Sequence, residues 1–303
     1  MCGEVRLISK DGDFLGLDIS RAWYVVPVSQ GTMQLRVAFQ GEPGAYSQQA
    51  LSSLFTHASP VPLPSIHRVF ETVEIGSVDY GVVPLENSQA GSINETYDLL
   101  VRHGVRIVAE KIIRISHCLL GLSGASVRAV KVVFSHPQAL AQCEEFLDSM
   151  QVERVAVHDT AGAARIVSEE QKGGSAAIAS EEAAALYGLD VLARGIEDRP
   201  DNSTKFVVIG REETGIFGEP TKTSIVLSTA NVPGALFSCL KEFADRGMNL
   251  TKLESRPSRE KAWQSHFYLD FEAPASDPAA VAALEALSGS TSFLRVLGSY
   301  PST

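Results

Sequence analysis

Four stretches of this chain place hydroxyl, amide and glycine residues where a β-strand would hand over to a helix. They are residues 41–47 (Gly-Glu-Pro-Gly-Ala-Tyr-Ser), 84–92 (Pro-Leu-Glu-Asn-Ser-Gln-Ala-Gly-Ser), 135–138 (Ser-His-Pro-Gln) and 158–162 (His-Asp-Thr-Ala-Gly). Such a turn leaves backbone N–H groups free at the positive end of the following helix, where they attract a carboxylate. Taken singly, each turn is more simply a helix cap. Four in one chain point to an anion-binding cleft. A fifth polar stretch, residues 202–206 (Asn-Ser-Thr-Lys-Phe), opens an apolar strand. The cysteines (Cys2, Cys118, Cys143, Cys239) have no CxxC or metal-ligand spacing, and the seven histidines form no HxxxH pattern. No metal site and no cofactor are therefore expected, and the scattered thiols suit a reduced, intracellular compartment. Met1-Cys2-Gly3 has the form of an N-terminal nucleophile, but no matching sequence follows it, so it reads as an accidental start.

The elements that must position these turns follow from periodicity. Short β-branched runs at residues 36–40, 80–83, 105–108, 130–134, 152–157, 176–179 and 205–209 alternate with stretches at helical spacing. This alternation predicts an α/β sheet protein with mainly parallel pairing. Ser92 and Glu95 have the spacing of a capping box. Gly215, Gly218 and Pro220 mark residues 212–221 as a linker. Beyond it, strands at 223–227, 249–255, 265–271 and 293–297 and helices at 233–245 and 278–287 give the order βαββαβ, a ferredoxin-like unit.

A chain of 303 residues suits two or three domains, and with 45% apolar and 20% charged residues it is globular. A net charge of −10 argues against general nucleic-acid binding, which needs basic surface. The absence of a run of about eighteen apolar residues argues against a membrane span. Residues 1–34 lack the basic start and apolar stretch of a signal peptide. Their Glu4, Asp11, Asp13 and Asp18 suit a transit peptide poorly, and they are expected to be an extension without an assigned role.

Together, residues 41–47, 84–88 with 91–93, 135–138 with Gln142 and Cys143, 159–163 and 201–206 closely resemble prephenate dehydratase. Residues 231–236 (Asn-Val-Pro-Gly-Ala-Leu) and 253–257 (Leu-Glu-Ser-Arg-Pro) resemble its regulatory ACT domain. The resemblance runs from about residue 35 to the C-terminus, in the family's order. It implies a catalytic region at 35–211, with two lobes like a type II periplasmic binding protein. Lobe 1 would hold 35–111 and 198–211, and lobe 2 would hold 112–197. The hinge would lie near Glu110-Lys111 and 196–198, the linker at 212–221 and the ACT domain at 222–303.

The implied reaction removes carbon dioxide and water from prephenate to give phenylpyruvate, with arogenate as the alternative substrate, giving phenylalanine directly. Neither needs a redox cofactor or metal, because the substrate is one fragmentation from an aromatic ring. The resemblance assigns Thr204 to help the departing hydroxyl, and Asn87, Ser135 and Gln142 to contact substrate or support catalysis. Ser88, Thr160, Lys205 and Phe206 are expected at the substrate, with Glu86 undecided between substrate and a cation. The family's usual Thr-Arg-Phe is here Thr204-Lys205-Phe206, and strand alternation turns Lys205 away from its two neighbours.

In the tail, Asn231, Pro233, Gly234, Ala235, Leu236, Glu254, Ser255 and Arg256 are expected to hold phenylalanine as feedback effector, in a homodimer or homotetramer. A cytoplasmic location is expected, or a plastid one for a mature plant-type or algal enzyme. The competing class is a cytosolic amino-acid sensor that shares the two-lobed cleft but turns nothing over.

Overall fold

The computed structural model describes residues 5–8, 14–17, 34–211, 215–257 and 265–302. Residues 1–3, the acidic positions Glu4, Asp11, Asp13 and Asp18, and residues 212–214 of the expected linker lie outside the described residues. Within the expected extension, β1 (Val5–Ile8) and β2 (Phe14–Leu17) pair as an antiparallel hairpin.

The first lobe opens with β3 (Arg36–Gln40), whose consecutive Val37, Ala38 and Phe39 are all fully buried. Such a run suits a strand covered on both faces. It leads to α1 (Tyr46–Leu54) and then β4 (Ser59–Leu63). Pro60 and Pro62 cannot donate to a ladder, and β4 is accordingly the outer strand, paired among the described residues only with β3. In α2 (Ile66–Glu74), Ser65 caps the start by accepting from the Arg68 N–H, and Ile66, Val69, Phe70 and Val73 form the buried stripe. β5 (Tyr80–Asn87), β6 (Gly91–Ser92), α3 (Asn94–Arg102) and β7 (Arg106–Arg114) complete the lobe. The expected Ser92/Glu95 capping box does not form. Ile93 occupies the cap of α3, and the Ser92 hydroxyl donates to Glu254 of the tail.

The second lobe contains β8 (Cys118–Gly121), β9 (Val132–Ser135), α4 (Pro137–Gln142), α5 (Glu144–Met150), β10 (Glu153–Ala156), α6 (Thr160–Glu170), β11 (Ser175–Ala179), α7 (Glu181–Tyr187) and β12 (Asp190–Arg194). The chain then returns to the first lobe as β13 (Ser203–Gly210), between β5 and β7. The sheets run β4-β3-β5-β13-β7 and β10-β9-β11-β8-β12. Pairing is mixed rather than mainly parallel. β3/β4, β3/β5, β9/β10 and β9/β11 are parallel, whereas β13/β5, β13/β7, β11/β8 and β12/β8 are antiparallel. The antiparallel strands cluster around the segments that enter or leave a lobe, since a chain that crosses away and comes back must return in the opposite direction. β7 keeps its pairing with β13 through Arg114, past the expected hinge at Glu110-Lys111. The outward crossing is therefore residues 115–117, and it lies against the returning crossing through Ile115 N–H to Asn202 O (2.8 Å) and Ile196 N–H to His117 O (3.1 Å).

The tail has the expected order: β14 (Lys222–Ser228), α8 (Ala235–Ala244), β15 (Leu250–Pro257), β16 (Ser265–Phe271), α9 (Pro278–Ser290) and β17 (Phe293–Tyr300). Its sheet order β15-β16-β14-β17 is the ferredoxin-like one. The tail shares a core with the first lobe, as Val226, Tyr268, Leu297 and Tyr300 pack with Val83, Leu85, Tyr97, Leu100 and Ile107. A Cβ on Gly298 would lie 2.0 Å from the Ile107 carbonyl oxygen, so only glycine lets β17 approach β7 this closely. The expected linker also packs, with Phe217 set edge-on against Phe55 and Tyr80 at ring separations of 5.3 and 5.8 Å.

Beneath this junction the Lys222 ammonium lies 2.9 Å from Glu110 Oε2 and 3.0 Å from Asp270 Oδ2, with all three side chains buried. Burial alone would lower the Lys222 pKa, but Asp270 and Glu110 overcome it and hold the group above its ordinary value. Removing one partner of a buried pair leaves uncompensated charge. Lys222→Ala is therefore expected to lower the unfolding free energy by about 3–5 kcal/mol in urea denaturation. A loss below about 1 kcal/mol would show that the triad does not hold the tail to the lobe.

Candidate active site

The site grows from the end of β5. Asn87 is opposite Thr204 in the β5/β13 register, and both are buried. The Asn87 Oδ1 accepts from the backbone N–H groups of Gln89 (3.1 Å) and Ala90 (2.9 Å). Backbone donors cannot be reversed, so the Asn87 amide must present its N–H₂ group on the other side. That group donates to Thr204 Oγ1 (3.0 Å) and to Asn202 Oδ1 (2.8 Å). Thr204 is thus an acceptor from Asn87 and keeps its own hydroxyl proton for donation. Asn202 in turn donates through Nδ2 to Gln142 Oε1 (2.9 Å), which ties the returning crossing to the last residue of α4. His117 Nε2 meets the same Gln142 oxygen at 3.0 Å, and His117 Nδ1 meets the Tyr46 hydroxyl at 3.1 Å.

Tyr46, Asn87, His117, Gln142 and Thr204 line a cleft of about 200 Å³ between the lobes, while Asn202 is fully buried. The starts of α1, α4 and α6 open onto it, bringing Tyr46, Ser47, His136, Gln138, Asp159 and Thr160 to its wall. Pro84, Ile93, Ile115 and Phe206 provide the apolar side. Among the described residues that line it, none is Lys or Arg. Burial pushes the His117 imidazole below its ordinary range, against the raising effects of Gln142 and Glu197. Burial, with the nearby Cys118 and Glu197, holds the Tyr46 phenol well above its ordinary value. Burial also lowers His136, although Asp159 opposes the shift. Both members of the Tyr46–His117 contact are therefore uncharged near neutral pH. The cleft offers neutral donors, helix starts and the side chain of Asp159, which caps α6, a set suited to assisting a leaving hydroxyl, with no strong nucleophile–base pair.

The structure brings Asn87, Gln142, Thr160, Thr204 and Phe206 to this cleft, and leaves three other expected residues outside it. Ser135 is fully buried and donates to the Ile178 carbonyl at 2.7 Å, so its hydroxyl ties β9 to β11. Ser88 is exposed and accepts from the Ser203 N–H at 2.9 Å, bracing the crossing. Lys205 faces away from Thr204 and Phe206, as strand alternation predicted, so the Arg-to-Lys change does not reach the cleft wall. Thr160 is the first residue of α6, and the cap is Asp159, whose Oδ1 accepts from the Gly162 N–H at 2.6 Å. Glu86 is 3.0 Å from the Lys252 ammonium, which settles it as a cation partner.

The effector residues divide. Asn231, Pro233 and Gly234 are exposed before α8, and Gly234 has φ 82°, a left-handed conformation that favours glycine. Ala235 and Leu236 follow, half-buried. On β15, burial alternates. Ser255 faces out, whereas Glu254 and Arg256 turn to the first lobe, Glu254 to Ser92 and Arg256 to Asp98 (3.1 Å) and Asn94. Within one chain the side chains of Glu254 and Arg256 are therefore engaged with the catalytic region.

Tyr46, His117 and Asn202 were not singled out by residue-level reasoning. Tyr46 and Asn202 lie inside motifs already recognised, and His117, after Arg114 and Ser116 at the start of an apolar run, carries no motif signal.

Residues 37–214 match the family described as prephenate dehydratase, and residues 223–289 match the ACT domain. The chain is 44% identical, over 98% of its length and 81% of the relative's, to a protein named arogenate dehydratase/prephenate dehydratase 2, chloroplastic, of Arabidopsis thaliana. The solved prephenate dehydratase of Arthrobacter aurescens in complex with L-Phe is similar at a TM-score of 0.80 and 31% identity, covering 88% of this chain and 89% of that one. A structure described as a novel type of quorum quenching acylase, GqqA, is similar at a TM-score of 0.80 and 32% identity, covering 88% and 98%.

Asn202 is fully buried and joins Asn87 to Gln142. Asn202→Ala removes one acceptor of the Asn87 amide and one of the two donors at Gln142 Oε1, so a loss of about 1–3 kcal/mol in unfolding free energy is expected from chemical denaturation. A loss under about 0.5 kcal/mol would mean that the junction does not depend on this link.

Proposed function

This chain belongs to the prephenate dehydratase family and carries an ACT domain, and on that premise we propose that Thr204 is the donor that carries its dehydration step. The observation that supports this role is the Asn87 amide donating to Thr204 Oγ1 at 3.0 Å on the cleft wall.

Dehydration of prephenate breaks the bond from the ring to its carboxylate and the bond from C4 to the hydroxyl oxygen. The electron pair of the first becomes part of the new aromatic ring as carbon dioxide leaves. The C4–O pair departs with oxygen, which must gain a proton to leave as water. Hydroxide is a poor leaving group near neutral pH, so a placed donor is the main requirement, and such help is worth roughly 10²–10⁴ in rate. A threonine hydroxyl is a weak acid. An amide N–H directed at its oxygen favours the charge that develops there as the proton shifts toward the leaving group. The Gln142 amide, with its oxygen held by Asn202 and His117, offers its N–H₂ group as a second donor.

Substrate carboxylates are met by helix starts rather than by fixed cations, with α1 on one lobe and α6 on the other. The apolar side made by Pro84, Ile93, Ile115 and Phe206 favours a step in which a charged carboxylate becomes neutral carbon dioxide. Acyl hydrolysis, the activity named for GqqA, calls for a nucleophile paired with a base. Here Thr204 is bonded to an amide and Ser47 donates to the Gln40 carbonyl, so the arrangement gives that activity no support.

Phenylalanine acts on this reading as the effector of the ACT domain, received by residues 231–236 in an assembly of two or four copies. Exposed Val232, Phe237 and Leu253 on the tail support self-association. No helix among the described residues is long and apolar enough to cross a membrane, and the similarity to a chloroplastic enzyme supports a plastid setting.

Thr204→Val keeps the shape and removes the donor. Its kcat for prephenate, followed by phenylpyruvate absorbance, is expected to fall by about 10² or more while the far-UV spectrum is unchanged. Turnover close to that of the unaltered chain would remove Thr204 from this role. Comparing kcat/KM for prephenate and arogenate on the same preparation is expected to favour prephenate. The opposite order would move the chain to the arogenate branch.

A further inference from the structure

We propose that His117 is a positioning residue for the dehydration, carrying its proton on Nε2 and thereby fixing the Gln142 amide with its N–H₂ group turned into the cleft. The inference rests on the dehydratase reading and adds His117, which lies in no family motif used above, and Tyr46, to which the motif at 41–47 gave no role.

His117 belongs to neither sheet. It sits on the outward crossing, 2% exposed, with its backbone N–H donating to Glu197 Oε2 (2.8 Å) and its carbonyl accepting from the Ile196 N–H (3.1 Å). Both Glu197 and Ile196 lie on the returning crossing, so the imidazole is pinned where the two connections run side by side. Its ring stands edge-on to Tyr46, with centroids 5.7 Å apart and planes at 77°. Tyr46 is the first residue of α1 in the first lobe, and Gln142 is the last residue of α4 in the second. The imidazole therefore bridges the lobes at the point where the cleft closes.

The direction of each hydrogen bond can be followed from the backbone. Gln89 and Ala90 force the Asn87 N–H₂ outward, so Asn202 must accept at Oδ1 and donate at Nδ2. Gln142 must then accept at Oε1, and the His117 nitrogen 3.0 Å from that same oxygen can only be a donor. A neutral imidazole has one N–H, so Nδ1 is left as an acceptor, and the Tyr46 hydroxyl is the donor within reach of it. That hydroxyl also donates to the Ser116 carbonyl at 2.7 Å, so its one proton is shared between the two acceptors, and the carbonyl keeps it satisfied when the imidazole is protonated. Two donors at Oε1 oppose rotation of the Gln142 amide, because a flip would set N–H₂ against both. With His117 removed, Asn202 alone opposes it.

The test uses the full-length chain and two kinds of measurement. The ¹⁵N shifts of the labelled imidazole, assigned with His117→Gln, should show the Nε2–H tautomer near neutral pH; an Nδ1–H tautomer overturns the proposal. In kinetics, His117→Leu should lose about tenfold or more in kcat with KM within about twofold. His117→Gln, whose amide reaches the Nε2 place, should recover kcat to within about threefold. In a Gln142→Met background, His117→Leu should cost less than about twofold more, because its effect passes through Gln142. Additive losses, or an unchanged kcat in His117→Leu, overturn the role. Should His117→Leu fail to fold, the tautomer and the His117→Gln kinetics decide it. Absence of turnover of both prephenate and arogenate by the unaltered chain would remove the dehydratase reading, and this role with it, a result that the tautomer measurement cannot produce.

Discussion

Asn87 accepts at Oδ1 from the backbone N–H groups of Gln89 and Ala90, two donors whose direction is set by the chain itself, and the polar contacts of the lobe junction take their sense from that pair. Side-chain amides and imidazoles can each be turned around, so a buried network built only from them would have more than one self-consistent arrangement. Anchoring one member to the backbone leaves a single arrangement. The donors then run from Asn87 to Thr204 and Asn202, and from Asn202 to Gln142, whose oxygen also takes up His117. On the proposed reading, the Thr204 hydroxyl and the Gln142 N–H₂ are the two neutral donors this arrangement leaves for the departing oxygen.

The same short stretch of chain ties the active site to the tail. Glu86, one residue before Asn87, meets Lys252; Ser92 meets Glu254; Asn94 and Asp98 meet Arg256. Lys252 also lies over the Tyr97 ring, 5.2 Å from its centroid. Strand β15 thus grips both ends of the segment that carries the anchor, while the Lys222 triad and the glycine at position 298 hold the other side of the tail sheet against β7. β7 leads directly into the crossing that bears His117. A rearrangement of the tail on binding an effector would act on the catalytic network from two sides, and that differential contact is what regulation at a distance requires.

Much of this protein was legible in the order of its residues. The alternation of β-branched runs with helical spacing established an α/β protein with a βαββαβ tail, because those periods are local properties of the backbone. Asn87 and Thr160 reached the cleft from a strand end and a helix start at the inter-lobe edge, Thr204 and Phe206 as alternate residues near the start of β13, and Gln142 from the end of α4. The strand β4, with Pro60 and Pro62, and the short β8 and β12 gave no comparable local signal.

What tertiary structure alone decided was which way a side chain turns and what covers it. Ser135 ends a strand just as Asn87 does, yet its hydroxyl bonds to Ile178 inside the second lobe. Glu254 and Arg256 sit in a motif expected at an effector, yet the parity of β15 turns them to the first lobe and leaves Ser255 outside. Mixed pairing arose because β13 returns from the other lobe, a fact about the path of the chain and not about any window of residues. Local composition determines the element and its period. The face of that element that becomes the interior depends on partners 60 to 162 positions away, such as Gln142 for Asn202 or Glu254 for Ser92, and only the folded chain brings those together.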